Sequence, residues 1–233
     1  MNRALWQIYF CHLLLREIEN CVKISVMQNT PPPSSDGATD PRFNHQNYVI
    51  TKKLMQAFGG TFYLYDAQEN LVLWASQKAF KLKEDFRIYS DENKTQELLR
   101  VGARSILDFS AAYDVYDAAT NQKLGAFKRQ GLKSSFVQDT WTLMDWNDAE
   151  IGICQEDSAF MGVVRRFVEY ASLLMPQRYD VTIGGQQIAT FQQGRNPFSS
   201  RMEITFDQPN AVYDRRLVLA LAMLLSAIEG KQR

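Results

Sequence analysis

Two histidines, His12 and His45, three cysteines, Cys11, Cys21 and Cys154, and four recurring acids, Asp66, Asp91, Asp117 and Asp145, are the residues of this chain with the chemistry for proton transfer, nucleophilic attack or metal binding. Their spacing argues against most of it. Both histidines precede position 48, where regular alternation of apolar and polar residues begins, so histidine acid–base chemistry and histidine-held metals are not expected in the main domain. The cysteines are odd in number, far apart and free of any Cys-x-x-Cys pair, which speaks against a disulfide framework or a zinc knuckle and fits a reducing, cytoplasmic setting. Each of the four aspartates lies between two apolar runs beside Asn, Gln, Glu or Thr, the composition of a turn whose side chain bonds its own backbone. The fixed acidic offsets of a calcium loop are absent. No Gly-x-Gly-x-x-Gly or Gly-x-x-x-x-Gly-Lys loop stands ready for a phosphate. The expectation is a protein without enzyme activity, cofactor or metal.

Charge gives the remaining chemistry. Lys plus Arg and Asp plus Glu number 26 each, so no net field marks a nucleic-acid binder, and a charged partner has to be met by a local patch. The candidates are Lys128, Arg129 and Lys133, with Lys123 just upstream, and a second cluster of Lys78, Lys81 and Lys83. The ordinary alternative for such residues is a solvated strand face.

Short runs with period-two alternation, broken by turn residues, position these groups and predict antiparallel hairpins. After an opening strand at 48–54, the unit strand, acidic turn, strand recurs over 62–74, 86–101, 113–127, 141–153 and 179–191, and a last strand covers 201–206. Gly184-Gly185 supplies the positive φ that a tight turn needs. Phe86 and Ile88, Trp141 and Leu143, Ile151 and Ile153, Val181 and Ile183, and Met202, Ile204 and Phe206 each share a face. About twelve strands curl rather than stay open, and a closed antiparallel barrel of that size is too wide for its own side chains to fill. The stretch 214–229 answers this. It has no polar face between Leu217 and Leu225 and is too short to span a bilayer, so it predicts a helix sheathed by protein, a plug in which Leu217, Leu219, Leu221, Leu224 and Leu225 are central. A second helix, 158–174, with one apolar face, is expected to cover the barrel.

Upstream, 4–15 is apolar but interrupted by Gln7 and His12 and lacks an Ala-x-Ala site, so a short amphipathic helix is expected there rather than a signal peptide, and Met27 is an alternative start. Residues 30–41, with three consecutive prolines, read as a linker. The expected division is an N-terminal extension, 1–42, and a barrel domain, 43–233.

The chain resembles the tubby-like barrels, and within them the LURP-one-related and phospholipid scramblase-like proteins. The carriers are Tyr65-Asp66 and Tyr116-Asp117, the 125–133 segment, the 178–191 hairpin and the Asp214-Arg215-Arg216-Leu217 entry to the terminal helix. The resemblance implies twelve strands around a hydrophobic helix, a non-enzymatic role and, in some members, phosphoinositide or membrane binding. It departs from the scramblases in lacking their closely spaced acidic segment, with only Asp207 and Asp214 flanking 208–213, and their cysteine cluster. The resulting expectation is a cytoplasmic, peripheral membrane-tethering module that recognises anionic phospholipid headgroups through Lys128, Arg129 and Lys133. It has no nucleic-acid partner and no transmembrane span. The alternatives are a protein-interaction scaffold and a small-ligand carrier using the lumen.

Overall fold

The computed structural model describes residues 40–55, 59–78, 86–104, 112–130, 140–157, 177–194, 201–207 and 213–229. The expected extension up to residue 39, the covering helix at 158–174, and Lys81, Lys83 and Lys133 lie outside these residues.

Alternating sequence becomes alternating burial. Met202, Ile204 and Phe206 are buried on a strand whose intervening residues are exposed, the pattern of a sheet with one face on a core. Twelve such strands follow in order: β1 (Asn47–Met55), β2 (Gly59–Asp66), β3 (Leu71–Lys78), β4 (Phe86–Tyr89), β5 (Glu97–Ala103), β6 (Ala112–Asp117), β7 (Lys123–Arg129), β8 (Thr140–Asp145), β9 (Glu150–Glu156), β10 (Arg178–Ile183), β11 (Gln186–Gln193) and β12 (Arg201–Phe206). Each pairs antiparallel with the next, and β12 pairs with β1 from Asn47 opposite Thr205 to Thr51 opposite Arg201, which closes the barrel. The five expected hairpins are all present, and closure leaves no sheet edge among these strands.

Four of the hairpin turns share one chemistry. Asp66, Asp91 and Asp145 each accept the backbone N–H two residues on and the one four residues on, and Asp117 accepts from Ala119 and Thr120. Glu69, Lys94, Asn121 and Asp148 then take positive φ, between 55° and 65°. This is a type I turn closed by a left-handed residue, and a register shift sits beside each one. The Asx-turn expectation for these four acids holds. The β10–β11 turn uses Gly184 and Gly185, both at positive φ.

One expected face turns the other way. On β9 the inward residue is Cys154, opposite Trp141 and Val181, so Ile153 points outward and is 39% exposed. The shift between Leu143 and Met144 moves the pairing by one residue, and with a period of two this exchanges inside for outside.

The terminal helix α1 (Arg215–Glu229) is buried from Arg216 through Leu225 on every face. It packs on β1, β2, β5 and β7, and its apolar residues form one core cluster with the inward residues of the strands. In a ring of twelve, β1 and β7 stand on opposite sides, so the helix touches both sides of the wall. Gly125 permits the approach on β7, since a Cβ there would lie 2.5 Å from the Met144 carbonyl oxygen and 2.9 Å from Leu217. No helix among the described residues is long and apolar enough to cross a membrane.

Candidate functional site

Strict antiparallel order sends the connections alternately to the two ends of the barrel. One end, the turn end, carries the five tight turns, the chain's entry into β1 and the start of α1. The other end is reached by the connections β1–β2, β3–β4, β5–β6, β7–β8, β9–β10 and β11–β12, and it is where β7 finishes in Lys128 and Arg129.

The turn end is organised by Arg216. This side chain is 2% exposed on the first turn of α1. Its Nε and Nη2 donate to the Asp214 carboxylate at 3.0 and 2.6 Å, and its Nη1 donates to Oδ2 of Asp117 on the β6–β7 turn. Asp214 also accepts the Arg216 backbone N–H at 2.9 Å, which caps the helix start. Burial opposes the guanidinium charge, but the two carboxylates outweigh it and hold Arg216 above its ordinary range. A buried arginine is tolerated here because its donors meet carboxylates that are already fixed by backbone N–H groups.

The entry segment completes this end. Pro41–Phe43 form a 3-10 turn capped by Asp40, and Phe43 is buried in the core. Tyr48 Oη accepts from the His45 N–H and donates to the Arg42 carbonyl, and burial pushes its phenol up to about 12. His45 Nε2 lies 4.0 Å from Asp66, and its ring meets Tyr48 edge-on. His45 thus belongs to the barrel rather than preceding it, which corrects the sequence reading. Alternation begins at Asn47, but the tyrosine pins the irregular residues before it to the rim. Arg215 stacks its guanidinium 4.1 Å from the centre of the Phe206 ring and donates to the Phe43 carbonyl at 3.4 Å.

A second ion network lies on the outer wall. Arg104 and Lys123 both pair with Asp114 and Asp148, joining the residue after β5 to β6, β7 and the β8–β9 turn. Lys123, counted by sequence with the basic patch, is therefore neutralised in the wall.

Of the expected binding residues, Lys128 is exposed on the outer face of β7, paired in register with Ala112 and Thr142. Arg129 is the next residue on the same strand, so it turns to the other face, with its guanidinium 5.7 Å from the Trp141 ring centre. The two do not form one flat patch. Lys133 lies outside the described residues. Leu217, Leu219, Leu221, Leu224 and Leu225 are all 3% exposed or less.

Sequence reasoning missed the long-range role of Asp117, which it read as a turn former alone. The signal available was weak: two arginines immediately before an all-apolar helix need acidic partners, but nothing local says which of four similar turns supplies one.

The sequence model of the family described as LURP-one-related matches residues 71–226, two thirds of the chain. A comparison with curated proteins finds no match.

Proposed function

The chain belongs to the LURP-one-related family, and we propose that its barrel is a non-enzymatic binding module that recognises anionic phospholipid headgroups as a peripheral protein of the cytoplasm. The observation that carries this reading is the division of labour among charges. The turn carboxylates are bound to backbone amides or to Arg216, Arg104 and Lys123, whereas Lys128 stands exposed on the wall. Acids held in this way serve folding, and exposed cations at a strand end are the groups left to meet an anion. In the same reading α1 is the barrel's plug, which leaves the lumen to the protein's own side chains rather than to a carried ligand.

Each basic residue near an anionic bilayer contributes about 1 kcal/mol, and the attraction decays over a Debye length of about 8 Å at physiological salt. Co-sedimentation with phosphoinositide-containing vesicles across a salt series tests it. Binding is expected to fall steeply as salt rises, and Lys128→Ala is expected to weaken it by about 1 kcal/mol with stability little changed, whereas Arg129, packed on Trp141, serves the wall as well. A wild-type protein that ignores anionic vesicles at low salt would remove the lipid reading and leave a protein-interaction scaffold.

A further inference from the structure

Aromatic side chains are unevenly placed on the outside of the barrel. Among the described strand residues the outward-facing ones are Tyr63 and Tyr65 of β2, Trp74 of β3, Tyr89 of β4 and Tyr116 of β6, whereas the aromatic residues of β7–β12 all belong to the core. Period-two alternation sends the first four outward, because Phe62, Leu64, Leu73, Ala75 and Ile88 beside them in the chain point into the core. Tyr63 stands opposite Trp74, and Trp74 opposite Tyr89, so three rings form a row across neighbouring strands. Tyr65 stacks on Tyr63 with ring centres 6.1 Å apart, and the Trp74 and Tyr89 centres are 6.0 Å apart.

A lysine rests on each end of this row. Nζ of Lys53 lies 4.7 Å from the centre of the Tyr63 ring, and Nζ of Lys94, in the β4–β5 turn, lies 5.8 Å from the centres of both Trp74 and Tyr89. Both lysines are exposed, and among the described residues neither has a carboxylate partner. The strands beneath them offer none: β1–β4 contain one acid, Asp66, which is bound to its own turn, and Glu97 opposite Tyr89 pairs with Arg87 at 3.1 Å. Trp74 is 7% exposed, and its indole Nε1 is buried with no hydrogen-bond partner. A buried indole N–H ordinarily finds an acceptor.

We infer that this row on β2–β4 is a docking surface for an acidic segment of a partner protein, with carboxylates on Lys53 and Lys94 and an apolar side chain over the rings between them. Charge complementarity selects the acids, since both ammonium groups lack one. A lysine held on a ring face is already ordered, so a carboxylate meets it at little further cost in side-chain entropy. From β2 to β4 is two strand spacings, roughly 10 Å, which is the reach of about three extended residues. Tyr and Trp beside cations make up the energetic centres of protein interfaces, and a partner's carboxylate or carbonyl supplies the acceptor that the Trp74 indole lacks. The surface is independent of the lipid reading: six strands separate β1 from β7 in either direction, so a bilayer resting on the Lys128 side of the wall leaves the Lys53 side free.

The test is fluorescence anisotropy of a fluorescein-labelled random copolymer of glutamate and tyrosine, with polyglutamate of the same length for comparison, titrated with the full chain at low salt. The variants are Lys53→Gln, Lys94→Gln, Trp74→Phe and, as the control on the other side of the wall, Lys128→Gln. Thermal melting identifies any variant that has lost its fold. The copolymer is expected to bind more tightly than polyglutamate, each change in the row to weaken it about fivefold, and Lys128→Gln to weaken it less than about twofold. No binding, equal binding of the two polymers, or an equal effect of Lys128→Gln overturns the docking surface and leaves the lipid reading untouched. If Lys53 and Lys94 govern binding to phosphatidylserine vesicles or oligothymidylate instead, the face belongs to a membrane or a nucleic acid; if sedimentation shows a dimer that Lys53→Gln dissociates, it belongs to a second copy. Each of these overturns the acidic-protein assignment. A wild type that ignores anionic vesicles but binds the copolymer with the expected dependence removes the lipid reading alone, and the docking surface stands.

Discussion

Arg216 on the first turn of α1 donates to Asp117 on the β6–β7 turn, 99 residues earlier in the chain, and the pair is buried. It ties the terminal helix to the barrel wall at a place where neither charge can be left alone. Removing one partner of a buried pair typically costs about 3–5 kcal/mol, because the survivor keeps its desolvation penalty without its attraction. Asp117→Ala should therefore destabilise the protein by about 3 kcal/mol, near the low end because Asp214 still holds Arg216. Arg216→Met should cost less, since both carboxylates retain backbone N–H donors. Urea unfolding of the two variants measures the order, and equal or reversed costs would show that the pair does not hold the helix.

Gly125 and Leu217 should be coupled. A Cβ at 125 meets a backbone carbonyl, which cannot move cheaply, and a leucine methyl, which can. Gly125→Ala is expected to cost about 1–3 kcal/mol, and Leu217→Ala in the same molecule should recover the part due to the methyl contact alone. A double-mutant cycle with additive costs would place the whole strain at Met144.

Leu221 is fully buried in α1. Truncation to Ala should cost about 2–5 kcal/mol, and Leu221→Asp, which buries an unpaired charge, should abolish cooperative unfolding. A soluble Leu221→Asp protein with an unchanged melting temperature would mean that the helix is dispensable to the barrel.

Asp66 and Asp91 titrate below the ordinary aspartate value, Asp66 chiefly because the Asn70 side chain donates to it and Asp91 chiefly because the Ser90 hydroxyl does. The folded values are depressed, so the unfolded chain binds these protons first as pH falls. The stabilisation is complete above about pH 5 and is lost as pH drops below about 4. Urea midpoints should fall over that window, and Asn70→Ala combined with Ser90→Ala should flatten the fall. A wild-type midpoint that stays level down to about pH 3 would show that the turn carboxylates contribute nothing.

The sequence boundary at residue 42 cuts through the Asp40-capped turn. A chain beginning at Asp40 should melt like the full protein, whereas one beginning at Asn44 loses the buried Phe43 and the Arg42 carbonyl that receives Tyr48, and should melt several degrees lower. Equal melting of the two chains would make the turn an ornament of the rim.

The sequence by itself determined the hairpins, their acidic turns and the terminal helix. A period of two marks a half-buried strand and an aspartate followed by a left-handed residue marks a tight turn, and both are local signals that neighbouring residues suffice to express. Burial of the helix was legible for the same reason, because the stretch from Leu217 to Leu225 has no face to give to water. Tertiary structure alone decided what those signals leave equal. Four turns offer an aspartate in nearly the same setting, and only barrel closure brings Asp117 rather than Asp66, Asp91 or Asp145 to Arg216. A one-residue register shift turned Ile153 outward and Cys154 inward. Lys128 and Arg129 are neighbours in sequence but point to opposite faces, while Lys53 and Lys128, 75 positions apart, share one end of the barrel. Strand alternation separates what the sequence places side by side, and ring closure gathers what it places far apart.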